Sequence, residues 1–255
     1  MRKRKDKSKF ISLILLACAI LVSVMSFVKL GKIYMGYYRT ENEYDNLRKR
    51  VQISIPDTKE ILNGEDVYFW VDFELLQREN PDCIGWIYFP NLDISYPVMQ
   101  GKDNNEYLRK TFSGKFASAG SIFIDSTNAP DFSDKNTFVY GHNMKNESMF
   151  GLLKKYEEKD FFQDNSGFYI CTPDACDYYD IFSCYLSKTD KMEDFLQTEF
   201  GDEQIFQEFV NEVKDRSIYD TGVKVDIKQN IVTLVTCSTT GNEYRLFIHA
   251  IKKKS

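Results

Sequence analysis

The C-terminal end of this 255-residue chain has a cysteine and an arginine whose spacing could place them together. Cys237 ends the apolar run Ile231–Cys237, and Arg245 lies near the start of the next run, Tyr244–Ile251. The residues Gly241-Asn242 between the runs are turn formers, so the two runs are predicted to form a β-hairpin. A turn centred on Gly241 would place Cys237 directly opposite Arg245, with about 5 Å between their Cβ atoms.

A cysteine opposite a guanidinium group could act as a nucleophile. The positive charge favours the thiolate form of Cys237 over the thiol. The same cation could stabilise the oxyanion that forms when the sulfur attacks a carbonyl group. The alternative is a buried cysteine beside a surface arginine, and a bulge in the turn would shift the register. Pairing by itself leaves both interpretations open.

A cysteine nucleophile usually needs a proton-transfer partner, and the chain has two histidines. His249 lies four residues beyond Arg245 on the same predicted strand, roughly 13 Å away, and would pair near Thr233. His249 is therefore predicted to be structural. His142 follows the predicted strand Thr137–Tyr140, and catalytic side chains are common at strand ends and in loops. His142 is the candidate partner, the alternative being an ordinary loop histidine.

Short predicted strands make up most of the framework that must position these residues. Apolar or alternating runs bounded by turn residues predict six strands before the hairpin. They are Ile84–Phe89, Ile94–Met99, Ser121–Ile124, Thr137–Tyr140, Gly167–Cys171 and Tyr178–Leu186. Short helices are predicted at Asp72–Asn80, Glu106–Thr111 and Met149–Tyr156, and an apolar i, i+3, i+4, i+7 stripe predicts an amphipathic helix within Met192–Arg216. This order indicates a mostly antiparallel barrel or sandwich with inserted helices.

The N-terminus has the pattern of a membrane anchor. A basic segment, residues 1–9, precedes the uncharged, mostly apolar run Phe10–Val28, which is long enough to cross a bilayer as a helix. The positive charge predicts a cytoplasmic N-terminus with the remainder outside. A cleaved signal peptide is the first alternative, but the apolar run is long for one. A lipoprotein signal around Cys18 is the second, but most apolar residues follow that cysteine instead of preceding it.

Composition limits the classes of function. The net charge is -5 although the first nine residues are basic, so the rest of the chain is acidic and nucleic acid is not an expected partner. Hydrophobic residues at 43% indicate a packed core. Beyond Cys18 the number of cysteines is odd, and no dense disulfide framework is predicted. Cys171 and Cys176 could form a metal clip, but no histidine is close in sequence. Ordinary strand-end cysteines are therefore favoured, and neither metal nor cofactor is expected.

These motifs resemble those of the sortase family of cysteine transpeptidases. Thr233–Cys237 reads T-L-V-T-C, which matches the T-L-x-T-C signature, while Arg245 and the Gly-His pair that ends Asn136–His142 complete the Cys-His-Arg set. The resemblance extends from about Asp72 to Lys252. It implies a mainly β fold, a closed eight-stranded sortase-type barrel with N-terminal helices. As in class B members, a long helix between strands 6 and 7 is implied, here within Met192–Arg216.

The resemblance also implies a reaction. Cys237 would attack the threonine carbonyl of a C-terminal sorting motif, Asn-Pro-x-Thr-like or related, His142 would protonate the leaving group, and Arg245 would stabilise the oxyanion. The segment Asp103–Leu108 is similar to the stretch that lines the substrate groove in class B. The implied substrate contacts are Asn104, Leu108, Tyr140 and Thr236. Ser238 stands where some class B members have an acidic residue, so that role is in doubt here.

Partners and location follow from the same resemblance. Surface proteins with a sorting signal would be cleaved, and an amine of the peptidoglycan cross-bridge, of its lipid-linked precursor or of a pilin would resolve the thioester. The enzyme would be on the outer face of the membrane of a Gram-positive bacterium. The implied division is a cytoplasmic tail (1–9), a transmembrane anchor (10–30), a stalk (31–65) and an extracellular catalytic domain (66–255). The sorting motif, the acceptor, pilus assembly against wall anchoring, oligomeric state and calcium dependence stay open.

Other functions account for part of the pattern. A papain-like cysteine hydrolase would have a different signature around its cysteine, and here the histidine precedes the cysteine. A thiol-dependent phosphatase needs a tighter phosphate-binding loop than the seven residues between Cys237 and Arg245. A non-catalytic, membrane-tethered sortase-like binding protein would keep the barrel. The presence of cysteine, histidine and arginine together favours an enzyme.

Overall fold

The computed structural model describes residues 2–51, 71–188, 196–237 and 243–254, and gives the backbone alone for residues 2–12 and 237. The chain divides into two units, residues 1–42 and 43–255. The first unit lies within helix α1, Arg2–Arg50. From Leu13 onward this helix is long and apolar enough to cross a membrane, a test that a signal sequence also passes.

The second unit contains a closed barrel of eight strands among the described residues. They are β1 Cys83–Tyr88, β2 Ser95–Met99, β3 Ile122–Ile124, β4 Asn136–Tyr140, β5 Gly167–Cys171, β6 Cys176–Lys188, β7 Ile231–Cys237 and β8 Tyr244–Lys252. Their order around the barrel is β1-β2-β3-β4-β7-β8-β6-β5. The pairs β2–β3 and β4–β7 are parallel, and the other pairs are antiparallel. The predicted eight-stranded barrel is confirmed, with strand boundaries within about two residues of those predicted.

Helix α4, Glu203–Asp215, covers one face of the barrel. The Asp202 side chain caps it by accepting a hydrogen bond from Ile205 N at 2.9 Å. Its apolar stripe packs against strand residues in one buried cluster; the stripe consists of Phe206, Phe209, Val210 and Val213. The helix lies within the predicted range Met192–Arg216 and occupies its C-terminal half. Residues 189–195 lie outside the described residues and 196–202 form no regular structure, so the helix before β7 has 13 residues.

The shorter helices agree with the predictions at two places and differ at a third. Helix α2, Phe73–Glu79, is capped by Asp72, as predicted, and a 3₁₀ helix, Gly151–Glu157, precedes helix α3, Lys159–Asp164. The predicted helix at Glu106–Thr111 is wrong: residues 106–108 continue a run of turns, and Lys110 forms an isolated β-bridge with Phe116.

Distant partners explain the missing helix at 106–111. The Tyr107 and Arg109 carbonyls accept hydrogen bonds from the backbone N–H groups of Ser121 and Ala117. The Leu108 carbonyl bonds to the His142 side chain. A helix would pair the Tyr107 carbonyl with the Thr111 N–H, but the carbonyl accepts from Ser121 and the Thr111 N–H donates to the Lys115 carbonyl.

Residues 43–51 of the predicted stalk belong to the barrel unit. Tyr44, Leu47 and Val51 are buried and share one helical face, which is why the C-terminal end of α1 packs as part of this unit. Of the rest of the predicted stalk, residues 31–42 lie in α1 within the first unit, and residues 52–65 lie outside the described residues.

Cys171 and Cys176 form a disulfide that joins the paired ends of β5 and β6. The two cysteines lie at strand ends, as expected, and are not a metal clip; the bond between them was not predicted from the sequence. Cys83 and Cys184 are buried free thiols. Burial raises the pKa of both to about 12, which keeps them protonated and unreactive at neutral pH.

Candidate active site

The hairpin of β7 and β8 has the register predicted from its turn residues. Cys237 pairs with Arg245, and Thr233 pairs with His249, in an antiparallel ladder without a bulge. The backbone therefore places the candidate nucleophile opposite the candidate cation. The turn residues 238–242 lie outside the described part of the chain, Ser238 among them.

Parallel pairing of β4 with β7 brings His142 to the same edge of the barrel. Tyr140 pairs with Val235, so His142 and Cys237 each lie two residues beyond a matched pair. The Gly141 N–H continues the ladder with a 3.2 Å hydrogen bond to the Val235 carbonyl. Because parallel strands end at the same edge, residues nearly a hundred positions apart in sequence meet there.

A pocket of about 350 Å³ opens at this edge. Its described lining is mixed apolar and polar, and consists of Asn104, Leu108, Phe123, Tyr140, Gly141, His142, Leu196, Val235, Thr236 and Arg245. Six of the seven residues predicted from the sequence are therefore brought together. The seventh, Cys237, directly follows Thr236 on β7. Phe123, Leu196 and Val235 were not predicted, because an apolar residue in a pocket wall has the same pattern as a core residue.

A backbone carbonyl orients the His142 ring. Its Nε2 lies 2.8 Å from the Leu108 carbonyl oxygen. A carbonyl can only accept, so Nε2 carries the hydrogen, and the lone pair of the neutral ring is on Nδ1. Nδ1 is therefore the atom available for proton exchange with a neighbouring thiol.

The loop that supplies the Leu108 carbonyl is held by buried contacts. The Tyr107 hydroxyl donates to Asp82 at 2.8 Å, and the Tyr107 carbonyl accepts from Ser121 N at 3.0 Å. Tyr44, at the C-terminal end of α1, donates to the Gly120 carbonyl at 3.0 Å. Burial raises the pKa of Tyr44 far above its ordinary value, so its hydroxyl stays protonated. Nothing in the local sequence around residue 108 indicated this support.

Arg245 and Thr236 are the strand neighbours of the candidate nucleophile, Arg245 as the paired residue on β8 and Thr236 as the preceding residue on β7. The half-buried Arg245 lies between β6 and β7, where it pairs with Ser187 on one side and Cys237 on the other, and its guanidinium donates to the Tyr244 carbonyl at 3.2 Å. The Thr236 hydroxyl is buried and has no hydrogen-bond partner among the described residues. A buried hydroxyl without a partner in a pocket wall could satisfy its hydrogen bond with a bound ligand.

Asn104 and Tyr140 share one buried partner, Asp125. The Asp125 carboxylate accepts from Asn104 Nδ2 at 2.8 Å and from the Tyr140 hydroxyl at 3.0 Å. Burial acts to raise the pKa of Asp125, but hydrogen bonds from Thr127, Asn104 and Tyr140 outweigh it and hold the pKa below its ordinary value. Burial and the neighbouring carboxylate raise the pKa of Tyr140. Asp125 was not predicted, because a single acidic residue after a short strand has no distinctive pattern.

His249 is remote from this chemistry, as predicted. It is fully buried, and its ring bonds to the Thr233 hydroxyl at 2.8 Å and to the Tyr185 hydroxyl at 3.2 Å. Burial lowers the pKa of His249 to about 3, so the ring is neutral at physiological pH. A neutral histidine with both ring nitrogens bonded within the core is structural.

Comparisons with known proteins find relatives that span the whole barrel. Residues 87–253 match the Sortase domain family. Sortase B of Listeria monocytogenes is 36% identical over 222 residues, covering 84% of this chain and 89% of that protein. A crystal structure of sortase B from Bacillus anthracis has a TM-score of 0.75 at 30% identity, covering 88% of this chain and 100% of that one.

One solved relative carries a substrate. A Staphylococcus aureus sortase B–substrate complex has a TM-score of 0.74 at 27% identity, covering 86% of this chain and 99% of that one. For the present chain, the family match and the closed barrel exclude the papain-like and phosphatase alternatives.

Proposed function

Because this chain belongs to the sortase family, whose members are cysteine transpeptidases, we propose specific roles for three of its residues. Cys237 is the nucleophile, His142 transfers protons, and Arg245 stabilises the oxyanion. The observation that supports this assignment is that the β4–β7 and β7–β8 ladders end at the same edge of the barrel. The β7–β8 register pairs Cys237 with Arg245, and the β4–β7 register brings His142 into the same pocket wall as Arg245.

The reaction proceeds through a thioester. The Cys237 thiol gives its proton to His142 Nδ1, and the sulfur attacks the carbonyl carbon of threonine in the sorting motif. The carbonyl oxygen becomes an oxyanion, which the Arg245 guanidinium stabilises. When the C–N bond breaks, His142 returns the proton to the leaving amine. An acceptor amine then attacks the thioester, an amide bond forms, and the Cys237 thiol is released with its proton restored.

The Leu108 carbonyl assists both proton transfers. It accepts from Nε2 in the neutral ring and in the imidazolium, so it keeps Nδ1 as the exchanging atom throughout.

The substrate is the C-terminal sorting signal of a surface protein, with an Asn-Pro-x-Thr-like or related motif. Apolar residues Leu108, Phe123 and Leu196 line the pocket and can contact apolar side chains of a peptide. Asn104, Tyr140 and Thr236 provide hydrogen-bonding groups for its polar atoms. The acceptor is an amine of the peptidoglycan cross-bridge or of its lipid-linked precursor, and a pilin lysine is the alternative.

The enzyme is a single-pass membrane protein whose catalytic unit lies outside the cell. Residues 10–30 form the anchor, and the basic residues 1–9 keep the N-terminus in the cytoplasm. The Cys171–Cys176 disulfide supports this orientation, because disulfides persist mainly outside the cytosol. Attachment to the membrane raises the effective concentration of the enzyme near membrane-tethered substrates and lipid-linked acceptors.

The proposed function is tested with the full chain in detergent micelles and a library of fluorogenic sorting-motif peptides. Cys237→Ala is compared with Cys184→Ala, which removes a buried thiol outside the pocket. We expect wild type and Cys184→Ala to cleave at least one peptide and Cys237→Ala to cleave none. Mass spectrometry should find the acyl adduct on Cys237. Cleavage that survives in Cys237→Ala, or a folded wild-type protein without cleavage or adduct for any peptide, would contradict the assignment.

A further inference from the structure

Asp125 lies behind the described pocket wall but holds two of the residues that form it. It directly follows β3 and is 8% exposed. One carboxylate oxygen, Oδ2, accepts from Asn104 Nδ2 at 2.8 Å and from the Tyr140 hydroxyl at 3.0 Å. The other, Oδ1, accepts from Thr127 N at 3.0 Å and from the Thr127 hydroxyl at 2.8 Å. Each oxygen is thus engaged twice, which fixes the plane of the carboxylate.

These contacts allow the Asn104 amide one orientation. Its Oδ1 accepts from Ser126 N at 2.8 Å, and its Nδ2 donates to Asp125. A backbone N–H can only donate and a carboxylate can only accept, so a flipped amide would lose both bonds. Asn104 therefore offers the pocket the second N–H of its Nδ2.

Tyr140 presents the opposite group to the pocket. Its hydroxyl hydrogen is engaged by Asp125, so its oxygen is left as an acceptor. Because both residues bond the same Oδ2, a donor from Asn104 and an acceptor from Tyr140 stand side by side in the pocket wall. An amide group has one carbonyl and at least one N–H, so it can satisfy both. A carboxylate has acceptors only, and Asp125 would repel it.

We propose that Asp125 is a positioning residue that makes this wall selective for an amide group of the sorting peptide. The amide is a side-chain carboxamide of the motif or one of its peptide groups. The proposal rests on the proposed function, since it concerns the same pocket, but it makes a separate claim. Asp125 touches no reacting atom, and it acts through the donor and acceptor pattern of Asn104 and Tyr140.

Two variants separate positioning from simple structural support. Asp125→Asn keeps the side-chain shape and the Thr127 bonds, but it places an N–H donor against Asn104 Nδ2, so two donors face each other. In the double variant Asn104→Asp/Asp125→Asn the new carboxylate accepts from Ser126 N and from the new amide. The internal hydrogen bonds are then restored, while the groups offered to the peptide are exchanged.

The test uses three motif peptides that differ at the first position, which is Asn, Asp or Ala. Peptide affinity is measured by fluorescence anisotropy with the full chain in detergent on a Cys237→Ala background, and kcat/KM is measured with Cys237 present. The matched control is Asp134→Asn, which removes a carboxylate bonded to Asn128 and Ala129 rather than to the pocket wall.

We expect wild type to prefer the Asn peptide to the Asp peptide. Asp125→Asn should bind the preferred peptide roughly 10- to 100-fold more weakly, while Asp134→Asn keeps the wild-type affinity. The double variant should have the wild-type melting temperature, because its internal hydrogen bonds are restored. It should not regain the preference for the Asn peptide, because the groups that it offers to the peptide are exchanged. If the Ala peptide binds poorly to wild type and is insensitive to Asp125→Asn, the recognised amide is the side chain. If the Ala peptide binds wild type as tightly as the Asn peptide does, and Asp125→Asn weakens the binding of both, the recognised amide is a peptide group.

Two results would overturn the inference. The first is that Asp125→Asn keeps both the wild-type peptide affinity and the preference for the Asn peptide. The second is that the double variant regains this preference together with its stability, as expected if Asp125 only supports the fold. Discriminating binding without Cys237-dependent cleavage would contradict the proposed function and leave the role of Asp125 supported. Cys237-dependent cleavage that Asp125→Asn leaves unchanged would support the proposed function and contradict the role of Asp125. Absence of both binding and cleavage in a folded protein would contradict both.

Discussion

A side-chain carbon at Gly120 would lie 2.5 Å from the carbonyl oxygen of Leu108. That oxygen is the one that orients His142. Gly120 also has a φ of +58°, in the left-handed region that favours glycine. The glycine thus permits the close approach that places the carbonyl within hydrogen-bonding distance of His142 Nε2, and this leads to a first prediction.

Gly120→Ala should reduce activity by displacing Leu108. The new methyl group cannot share space with the backbone there, so the carbonyl must move, and misplacement by about 1 Å can cost up to 10²-fold in rate. We expect kcat/KM for peptide cleavage to fall at least about tenfold. Gly114→Ala is the control, because Gly114 also has a positive φ, +77°, but no atom would lie within 4 Å of its new carbon. Equal activity of the two variants would contradict the role assigned to the Leu108 carbonyl.

Arg245→Ala should reduce the rate of transpeptidation by on the order of 10²- to 10³-fold, because it removes the cation proposed to stabilise the oxyanion. Arg245→Lys should recover part of this loss, since it keeps the charge but not the fork of donors. The measurement is kcat with a cleaved sorting peptide and an amine acceptor. Lys252→Ala, which breaks an ion pair with Asp177 at the other end of β8, is the control. Activity of Arg245→Ala within a few-fold of wild type would exclude the proposed role.

His249 should make the fold less stable as the pH falls below about 6.5. Its pKa is about 3 in the folded chain and 6.5 ordinarily, so in this range the unfolded state binds a proton that the folded state does not. Stability therefore rises with pH, and the loss from pH 7 to pH 5 is about 2 kcal/mol for this group.

The test is urea unfolding of wild type and His249→Asn at both pH values. Asparagine does not titrate and can still bond to Thr233, so the variant should lose about 2 kcal/mol less than wild type between pH 7 and pH 5. Other titrating groups cancel in this comparison. An identical pH dependence in the two proteins would show that His249 is not kept neutral by burial.

The Cys171–Cys176 disulfide should stabilise the barrel modestly without affecting catalysis. Closing so short a loop lowers the conformational entropy of the unfolded chain, which raises the free energy of unfolding by about 2 kcal/mol. Cys171→Ser/Cys176→Ser should be less stable by that amount in urea unfolding, and dithiothreitol should destabilise wild type but not the double variant. Peptide cleavage should stay within about twofold of wild type, because the β5–β6 turn contributes no residue to the described pocket lining. A larger loss of activity would show that the hairpin supports the site.

Local patterns account for most of what could be predicted. Strands were predictable because apolar alternation ends at turn residues, and the register of Cys237 with Arg245 follows from the turn residues between them. The helix predicted at Glu106–Thr111 was wrong for the opposite reason. Its local pattern is helical, but the Tyr107 carbonyl and the Thr111 N–H, which a helix would pair with each other, bond to Ser121 and Lys115 instead.

The sequence by itself determined the barrel class, the family and the candidate trio, since T-L-V-T-C, the Gly-His pair and the strand pattern are each contained in a few consecutive residues. Only the tertiary structure decided how those residues are supported. The Leu108 carbonyl meets His142 across 34 positions, and Asp125 meets Asn104 across 21. Contacts of this kind depend on how the closed barrel brings loops together, and a carbonyl or a single carboxylate carries no pattern along the chain that would reveal its partner.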